Sequence, residues 1–378
     1  MVTKIEKIEL YHIYDSLGGQ TLEAVIDGHA AACAGGISRS AYEAPIVPVA
    51  QALRVFEKSK KELLGTFSQS SFDAKLSKLL PKIGAQATTA LSLAFYSASY
   101  SNKPKANHNE QFPTLLGNVL GGGAHSPCKT RMKIQEILTI PRTKTLTAAI
   151  ETNFKIWRAV GEELQKRGTC GLGFEAAWAA DTTDETALEI VSKIAKQNRA
   201  VLGVDMAASQ FYRKGQYTWS DKMLNRDAHI ERVLGLAKRF KLGYIEDPVH
   251  EDDFEGFAKI LERTKGRTFV CGDDLISTNL DRLKRAIRER AINAVIVKPN
   301  QNGTIGGSIA VIEHAKRNGI TPVISHRSRE TPDTSVCKLA LQCTIAKFGV
   351  AGIRTVKSNG LLRLWRSSSK PQMAPLHL

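Results

Sequence analysis

Six short apolar runs in this chain each end on an ionisable residue, and the later ones do so at a nearly constant interval. AVLGVD ends at Asp205, GYIE at Glu246, FVCGD at Asp273, AVIVK at Lys298, PVISH at His326 and GIR at Arg354. From Glu246 onward the steps are 27, 25, 28 and 28 residues. That is the length of one strand plus one crossover helix, the repeat of a parallel sheet. A (β/α)8 barrel carries its functional side chains where these runs end, at the C-terminal mouth of its strands. A less regular run, CGLGFE, ends at Glu175 and reads as a seventh strand end.

The intervening segments fit this rhythm. TTDETALEIVSKIAKQ sets Ala187, Ile190, Val191 and Ile194 on one helical face, behind a capping-box-like Thr182 and Glu185. The first part of the chain reads differently. KIELYHIYDS and TLEAVID are strand-like about the turn DSLGGQT, AACAGGISRSAY is a small-residue loop, and residues 50–100 have helical spacing. SNKPKANHNEQFP, residues 101–113, reads as a polar linker. The expected fold class is therefore α/β. A small α+β domain spans 1–113, a (β/α)8 barrel spans 114–366, and 367–378 form a disordered tail.

The chain has 378 residues and a formal net charge of +16. Its Lys and Arg are spread along the chain with no run of five like charges, which reads as a solvated surface rather than a nucleic-acid footprint. Nucleic acid stays open as a partner on charge alone. Six cysteines without a C-x-x-C pair fit the reduced thiols of a cytosolic protein. The sequence has no apolar signal core at its start and no run of 18 apolar residues to span a membrane.

Each candidate site residue has a functional reading and a plain one. Asp205, Glu246 and Asp273 come from three strand ends and offer only oxygen, which suits a hard cation, Mg²⁺ above all. Any one of them could equally be a helix cap or an ion-pair partner. Lys298 beside such a metal would have a lowered pKa and could serve as a general base, or it could simply pair with a carboxylate. Glu175 and Glu136 could be general acids with raised pKa values, or surface glutamates. His326, Arg327 and Ser328 offer donors for phosphate or carboxylate, or form a polar loop. GNVLGGGAHSP, residues 117–127, lacks the G-K-[ST] of a P-loop and reads as a mobile loop carrying His125.

YIEDPVHEDDFEGF, VCGDDLISTN, VKPNQNGT and ISHRSRET are long motifs in fixed order, and through them the chain resembles enolases (phosphopyruvate hydratases), the archaeal forms most, from about residue 5 to about 365. The resemblance implies that the first domain caps the barrel. It implies two Mg²⁺ ions per site, the second arriving with substrate, a cytoplasmic homodimer or higher oligomer, and interconversion of 2-phosphoglycerate with phosphoenolpyruvate. By position, Asp205, Glu246 and Asp273 match the ligands of the first metal, and Ser38 matches the loop serine at the second. Lys298 matches the base and Glu175 the acid, with Glu136 and Gln135 as the supporting pair. His125 matches the mobile-loop histidine, and His326, Arg327 and Ser328 the substrate grip.

There are departures from the family pattern. Leu17 replaces an arginine associated with the family's subunit interface, the family's second active-site lysine falls at Arg354, and Arg329 stands where the family has glycine, at a position expected to need an unusual backbone angle. Two alternatives stand beside this reading, the first raised by the two arginines and the second by the net charge of +16. One is a diverged enzyme acting on another anionic carboxylate. The other is a non-catalytic basic relative that binds RNA or a protein.

Overall fold

The computed structural model describes residues 2–101, 111–127, 130–168 and 170–376. Most of the expected linker, Cys128 and the last two residues of the tail lie outside them.

The alternation in the first part of the chain becomes an antiparallel meander of Ile8–Tyr14, Gln20–Ile26 and His29–Ala32. Leu22, Ala24 and Ile26 point to one face and are fully buried against the helical segment Gln69–Ser101. That segment breaks at Gly84, whose φ is 74°. A Cβ there would lie 2.7 Å from the Val47 backbone nitrogen, so both the angle and the close approach require glycine.

Eight strands close the barrel. Residues 114–121 join the ring at both ends, pairing with Ile345–Lys347 on one side and with Glu136–Pro141 on the other. Ala200–Asp205, Tyr244–Glu246, Phe269–Gly272, Ala294–Val297 and Thr321–Ser325 complete it in sequence order. The steps from Ala200–Asp205 onward are parallel, as the 25-to-28-residue repeat requires. The first two steps differ, because Glu136–Pro141 runs antiparallel to both neighbours. A loop rather than a crossover helix precedes that strand, and its first residue, Glu136, consequently lies beside Asp205 at the mouth.

The period of two along each strand sorts the side chains. Leu138, Ile140, Tyr244, Cys271, Ala294, Ile296, Val323 and Ile345 form a buried cluster inside the barrel. Their neighbours Ile137, Ile245, Val270, Val295, Val297 and Ile324 belong to the larger core packed against the surrounding helices. Continued two residues toward the mouth, the inward line reaches Glu136, Glu246, Asp273, Lys298, Ser325 and Lys347.

Four expectations are corrected here. CGLGFE is not a barrel strand: Cys170–Leu172 and Trp178–Ala180 form a hairpin, with Glu175 in its turn. GIR is not one either. The last strand ends at Lys347, and Gly352–Arg354 is a short helical turn before the helix Thr355–Ser367. The helix Asp184–Gln197 is capped by Thr183, not Thr182, through a hydroxyl that accepts from Thr186 N. The expected disordered tail is ordered over most of its length. Gln372–Met373 pairs with Gln111–Phe112, and Ala374 is buried.

Candidate active site

The strand ends, the loop 34–46 and the His125 loop enclose one cavity. Among the described residues its lining holds seven carboxylates, from Glu43, Glu136, Glu175, Asp205, Asp247, Asp273 and Asp274, against three permanent cations, Lys298, Arg327 and Lys347. Buried negative charge in such excess costs several kcal/mol per unpaired ion, so the lining calls for added positive charge. The free space is about 30 Å³, room for one or two waters.

Two lysines hold the carboxylates. Lys347 Nζ donates to Asp205 Oδ2 at 2.9 Å and Glu246 Oε1 at 2.8 Å, with Glu136 Oε2 at 3.2 Å. Lys298 Nζ donates to Asp273 Oδ2, whose other oxygen accepts from Gln301. Asp247, with φ 40°, accepts from the backbone nitrogens of Asp273 and Asp274 and so fixes the turn after that strand. Asp205 and Asp273 face the cavity. Glu246 lies fully buried beneath it, taking the Tyr244 hydroxyl at 2.7 Å.

The expected metal set is therefore not drawn together. Lys347 stands between Asp205 and Glu246, while Lys298 engages Asp273. The tightest groups, with ligand atoms within 4.8 Å of one another, are Asp247, Asp273 and Asp274, and His125, Glu136 and Glu175. The donor chemistry still fits a hard cation: oxygen ligands at the strand ends, and two carboxylates, Glu246 and Asp274, that burial drives toward protonation. Burial, then Asp205, pushes Glu246 well above the carboxylate range, and burial, then Asp273, lifts Asp274 to about 7.

On the opposite wall, Glu175 Oε2 accepts from Asn118 at 3.2 Å and faces His326 Nε2 at 3.3 Å. His125 Nδ1 lies 3.4 Å from Glu136 and 3.6 Å from Glu175. Two expected pKa directions are reversed. Burial acts to raise Glu175, but His125 and His326 outweigh it and hold the carboxyl well below its usual range. Burial acts to lower Lys298, but Asp273 outweighs it and raises the lysine. The expected depression presupposed a cation beside Lys298, and here its nearest neighbour is an anion.

The grip segment is already occupied. Arg327 Nη2 donates to both Glu43 oxygens at 3.1 and 3.2 Å and to Ser38 O at 3.4 Å, and the Ser328 hydroxyl accepts from Ile37 N at 2.7 Å. A Cβ on Gly36 would fall 2.0 Å from Arg327 Nη2, so only glycine lets the loop come this close. Ser38 and Gln135 line the cavity, and Gln135 Oε1 is buried without a partner.

The enolase C-terminal TIM barrel model matches residues 109–367. The chain belongs to the enolase family. With the family comes its class of chemistry, that of a lyase, phosphopyruvate hydratase. The enolase of Natronomonas pharaonis is 36% identical over 398 aligned positions, spanning 96% of this chain and 99% of that protein. Those of Archaeoglobus fulgidus and Thermoplasma acidophilum are 35% and 31% identical, over 98% and 96% of this chain.

Within this enolase frame, sequence reasoning missed Lys347, and the second lysine was misplaced onto Arg354. Ile345, two residues earlier in the inward line, was the available signal for Lys347. Arg354 does not line the cavity. It is 1% exposed and sits behind the wall, donating from Nε to His326 Nδ1 at 3.0 Å and from Nη2 to the Arg327 and Ser328 carbonyls at 3.2 and 2.8 Å. Glu43 was missed as well, because it reaches the site from the other domain. Arg329 needs no unusual angle. It forms an antiparallel bridge with Gly35 and turns its side chain out to Asp15 at 2.8 Å.

Proposed function

We propose that this chain works as a magnesium-dependent enolase, converting 2-phosphoglycerate to phosphoenolpyruvate and water and back. The convergence that carries this reading is Lys298 and a carboxylate cluster on one wall of a buried cavity, with Glu175 between two histidines on the other. Residues 1–113 act as the cap and 114–366 as the barrel.

Asp205, Glu246 and Asp273 would hold the first metal and Ser38 the second. Magnesium bound there supplies positive charge at the substrate carboxylate as negative charge builds on it. With Asp273 among the metal ligands, Lys298 would lose the neighbour that raises its pKa. Its neutral amine then takes the proton beside the carboxylate. Glu175 is ionised between the two histidines, so it protonates the departing hydroxide to water by passing on a proton from His125, 3.6 Å away, whose pKa Glu175 and Glu136 raise against the effect of burial. His326, Gln135 and the 34–46 loop exclude bulk water.

Space for one or two waters admits no substrate, so entry requires the 34–46 loop to lift. That motion releases Arg327 from Glu43 and frees its fork for the phosphate, with Ser328 beside it. A different carboxylate substrate finds no support in Arg354 or Arg329, since neither faces the cavity.

Exposed Tyr11, Tyr14 and Leu17 along and just beyond the edge strand Ile8–Tyr14 support a homodimer. Four buried free cysteines support a cytoplasmic setting. Among the described residues no helix is long and apolar enough to cross a membrane. The decisive assay follows the ultraviolet absorbance of phosphoenolpyruvate formed from 2-phosphoglycerate with Mg²⁺. Folded, metal-loaded protein that produces none would sink the proposal.

A further inference from the structure

The barrel has a second large concavity at its other end. It encloses about 720 Å³, against about 30 Å³ in the catalytic cavity. The strand Ala200–Asp205 starts in it and ends at the catalytic mouth, so the two sites lie about 16 Å apart along the strand. Their electrostatics are opposite. Arg142, Lys196, Arg199, Arg239, Lys241 and Arg267 line this groove, and among the described residues no carboxylate does.

Helix ends attract cations, and this explains part of the set. Lys196 and Arg239 lie in the last turns of Asp184–Gln197 and Arg226–Phe240, where the helix dipole favours positive charge. It does not explain the rest. Arg142 follows a strand, Arg199 lies between a helix and a strand, and Arg267 comes three residues after the helix Phe254–Thr264. Arg199 and Lys241 hold φ values of 53° and 52°, in the left-handed region where glycine or asparagine is the usual choice.

Arg239 pairs with Glu189 at 2.6 Å. Lys196, Arg199, Lys241 and Arg267 have no ion pair among the described residues. Gathered around one groove, these charges repel one another, an effect that salt screens only beyond about 8 Å. A bound anion would relieve that repulsion.

The shape narrows the class of anion. The volume falls within the roughly 300–1,000 Å³ range of small-molecule sites. The floor is apolar, with Leu202 and Phe240 buried and Val201 beside them. A cationic rim over an apolar floor suits several phosphates joined to a flat ring. A nucleic-acid strand instead needs an extended track of charge with aromatic stacking platforms. We propose that this groove binds a compact polyphosphate carrying an apolar ring, of the nucleoside triphosphate class, independently of the catalytic site.

The test is calorimetric titration of the full, magnesium-loaded chain with ATP, magnesium being kept in excess of the nucleotide. One saturable site is expected, weakening with added salt and competed by inorganic tripolyphosphate far better than by monophosphate. The double variant Lys241→Asn/Arg267→Ser should bind at least about tenfold more weakly while keeping its melting temperature and its turnover of 2-phosphoglycerate. Asparagine is chosen because it tolerates the left-handed backbone. Arg267→Lys should keep binding.

Four results would overturn the proposal. These are no binding at low salt, equal binding by the double variant, ATP binding abolished by phosphoenolpyruvate, and displacement of ATP by polyribonucleotides with an affinity that grows with their length. The third would place the nucleotide in the catalytic cavity, and the fourth would make the groove part of a nucleic-acid track.

Discussion

Arg354 does not line the catalytic cavity, yet its replacement should impair turnover, and Arg354→Met is the informative change. Methionine fills much of the same buried volume but donates nothing. The wild-type guanidinium satisfies His326 Nδ1 and two backbone carbonyls of the grip segment. Bonds from a charged donor contribute about 1.5–3 kcal/mol each, and acceptors left buried and unpaired carry their desolvation cost. The guanidinium also gives up its own burial penalty when it is removed. A net loss of about 3 kcal/mol of stability follows, large enough to read as a shift of the urea midpoint.

The effect on catalysis is more specific. With a donor fixed on Nδ1, neutral His326 must carry its proton on Nε2, the atom that faces Glu175. Burial lowers the His326 pKa, Glu175 opposes it, and Arg354 lowers it further. Removing Arg354 therefore raises it, and His326 becomes charged at pH values where the wild-type ring is neutral. The acid limb of kcat/KM should move to higher pH. Loosening the 326–328 backbone should cost up to about 100-fold in kcat/KM even at the optimum. Histidine ¹⁵N shifts would report the tautomer directly, and Arg354→Lys should recover stability better than it recovers the tautomer. The reasoning is refuted if Arg354→Met unfolds at a lower urea concentration while its pH profile and His326 shifts stay those of the wild type.

Other expectations follow from the same contacts. Lys298→Ala should lower kcat by about 10²–10⁴-fold while Mg²⁺ still raises the melting temperature, and retained turnover would remove Lys298 as the base. Asp273→Ala should instead lose most of the Mg²⁺-induced thermal shift, read by calorimetry with and without chelator. Arg329→Gly should cost at most about 1 kcal/mol of stability in urea titrations, because its partner Asp15 keeps backbone donors at Leu17 and Gly19. His229 accepts from Trp219 Nε1 and faces the Pro248 carbonyl, so protonation would oppose an existing donor, and burial lowers its pKa from 6.5 to about 4. The unfolded chain then binds the extra proton first. About 3 kcal/mol of stability should be present above pH 6.5 and lost as pH falls toward 4, a dependence that His229→Gln should abolish in urea titrations.

What the sequence disclosed follows from its periodicities. A repeat of 25 to 28 residues marks strand plus helix, and the ionisable ends of the runs at Asp205, Glu246, Asp273, Lys298 and His326 fall where the barrel opens. The repeat failed at its last step because the final unit is short. From His326 to Lys347 is 21 residues, and reading for another 28 carried the strand end past Lys347 to a helical turn. The period of two would have corrected this, since Ile345 faces inward and Lys347 shares its side of the strand. Glu136 needed a different kind of information. Its strand runs the other way, so a residue at a strand start reaches the mouth, and apolar patterning carries no sign of direction.

The contacts least visible in the sequence are those that cross from the capping segment. Glu43 pairs with Arg327 across 284 positions and Asp15 with Arg329 across 314, distances over which no local pattern operates. Only glycine leaves a trace. Gly36 and Gly19 each lack a Cβ where an arginine from the 326–329 segment passes, with Arg327 Nη2 at 2.0 Å from the position of one and Arg329 Nη2 at 1.7 Å from the other. The two arginines lie two residues apart and reach different acids, one at the catalytic mouth and one outside it. On the function proposed above, Arg327 would exchange Glu43 for the substrate phosphate as the loop lifts, whereas Arg329 would stay bound to the turn at Asp15 and anchor the loop's base. Asp15→Asn should weaken that anchor. It should raise KM more than it lowers kcat, whereas equal losses in both would mean that the Arg329 contact belongs to the fold alone.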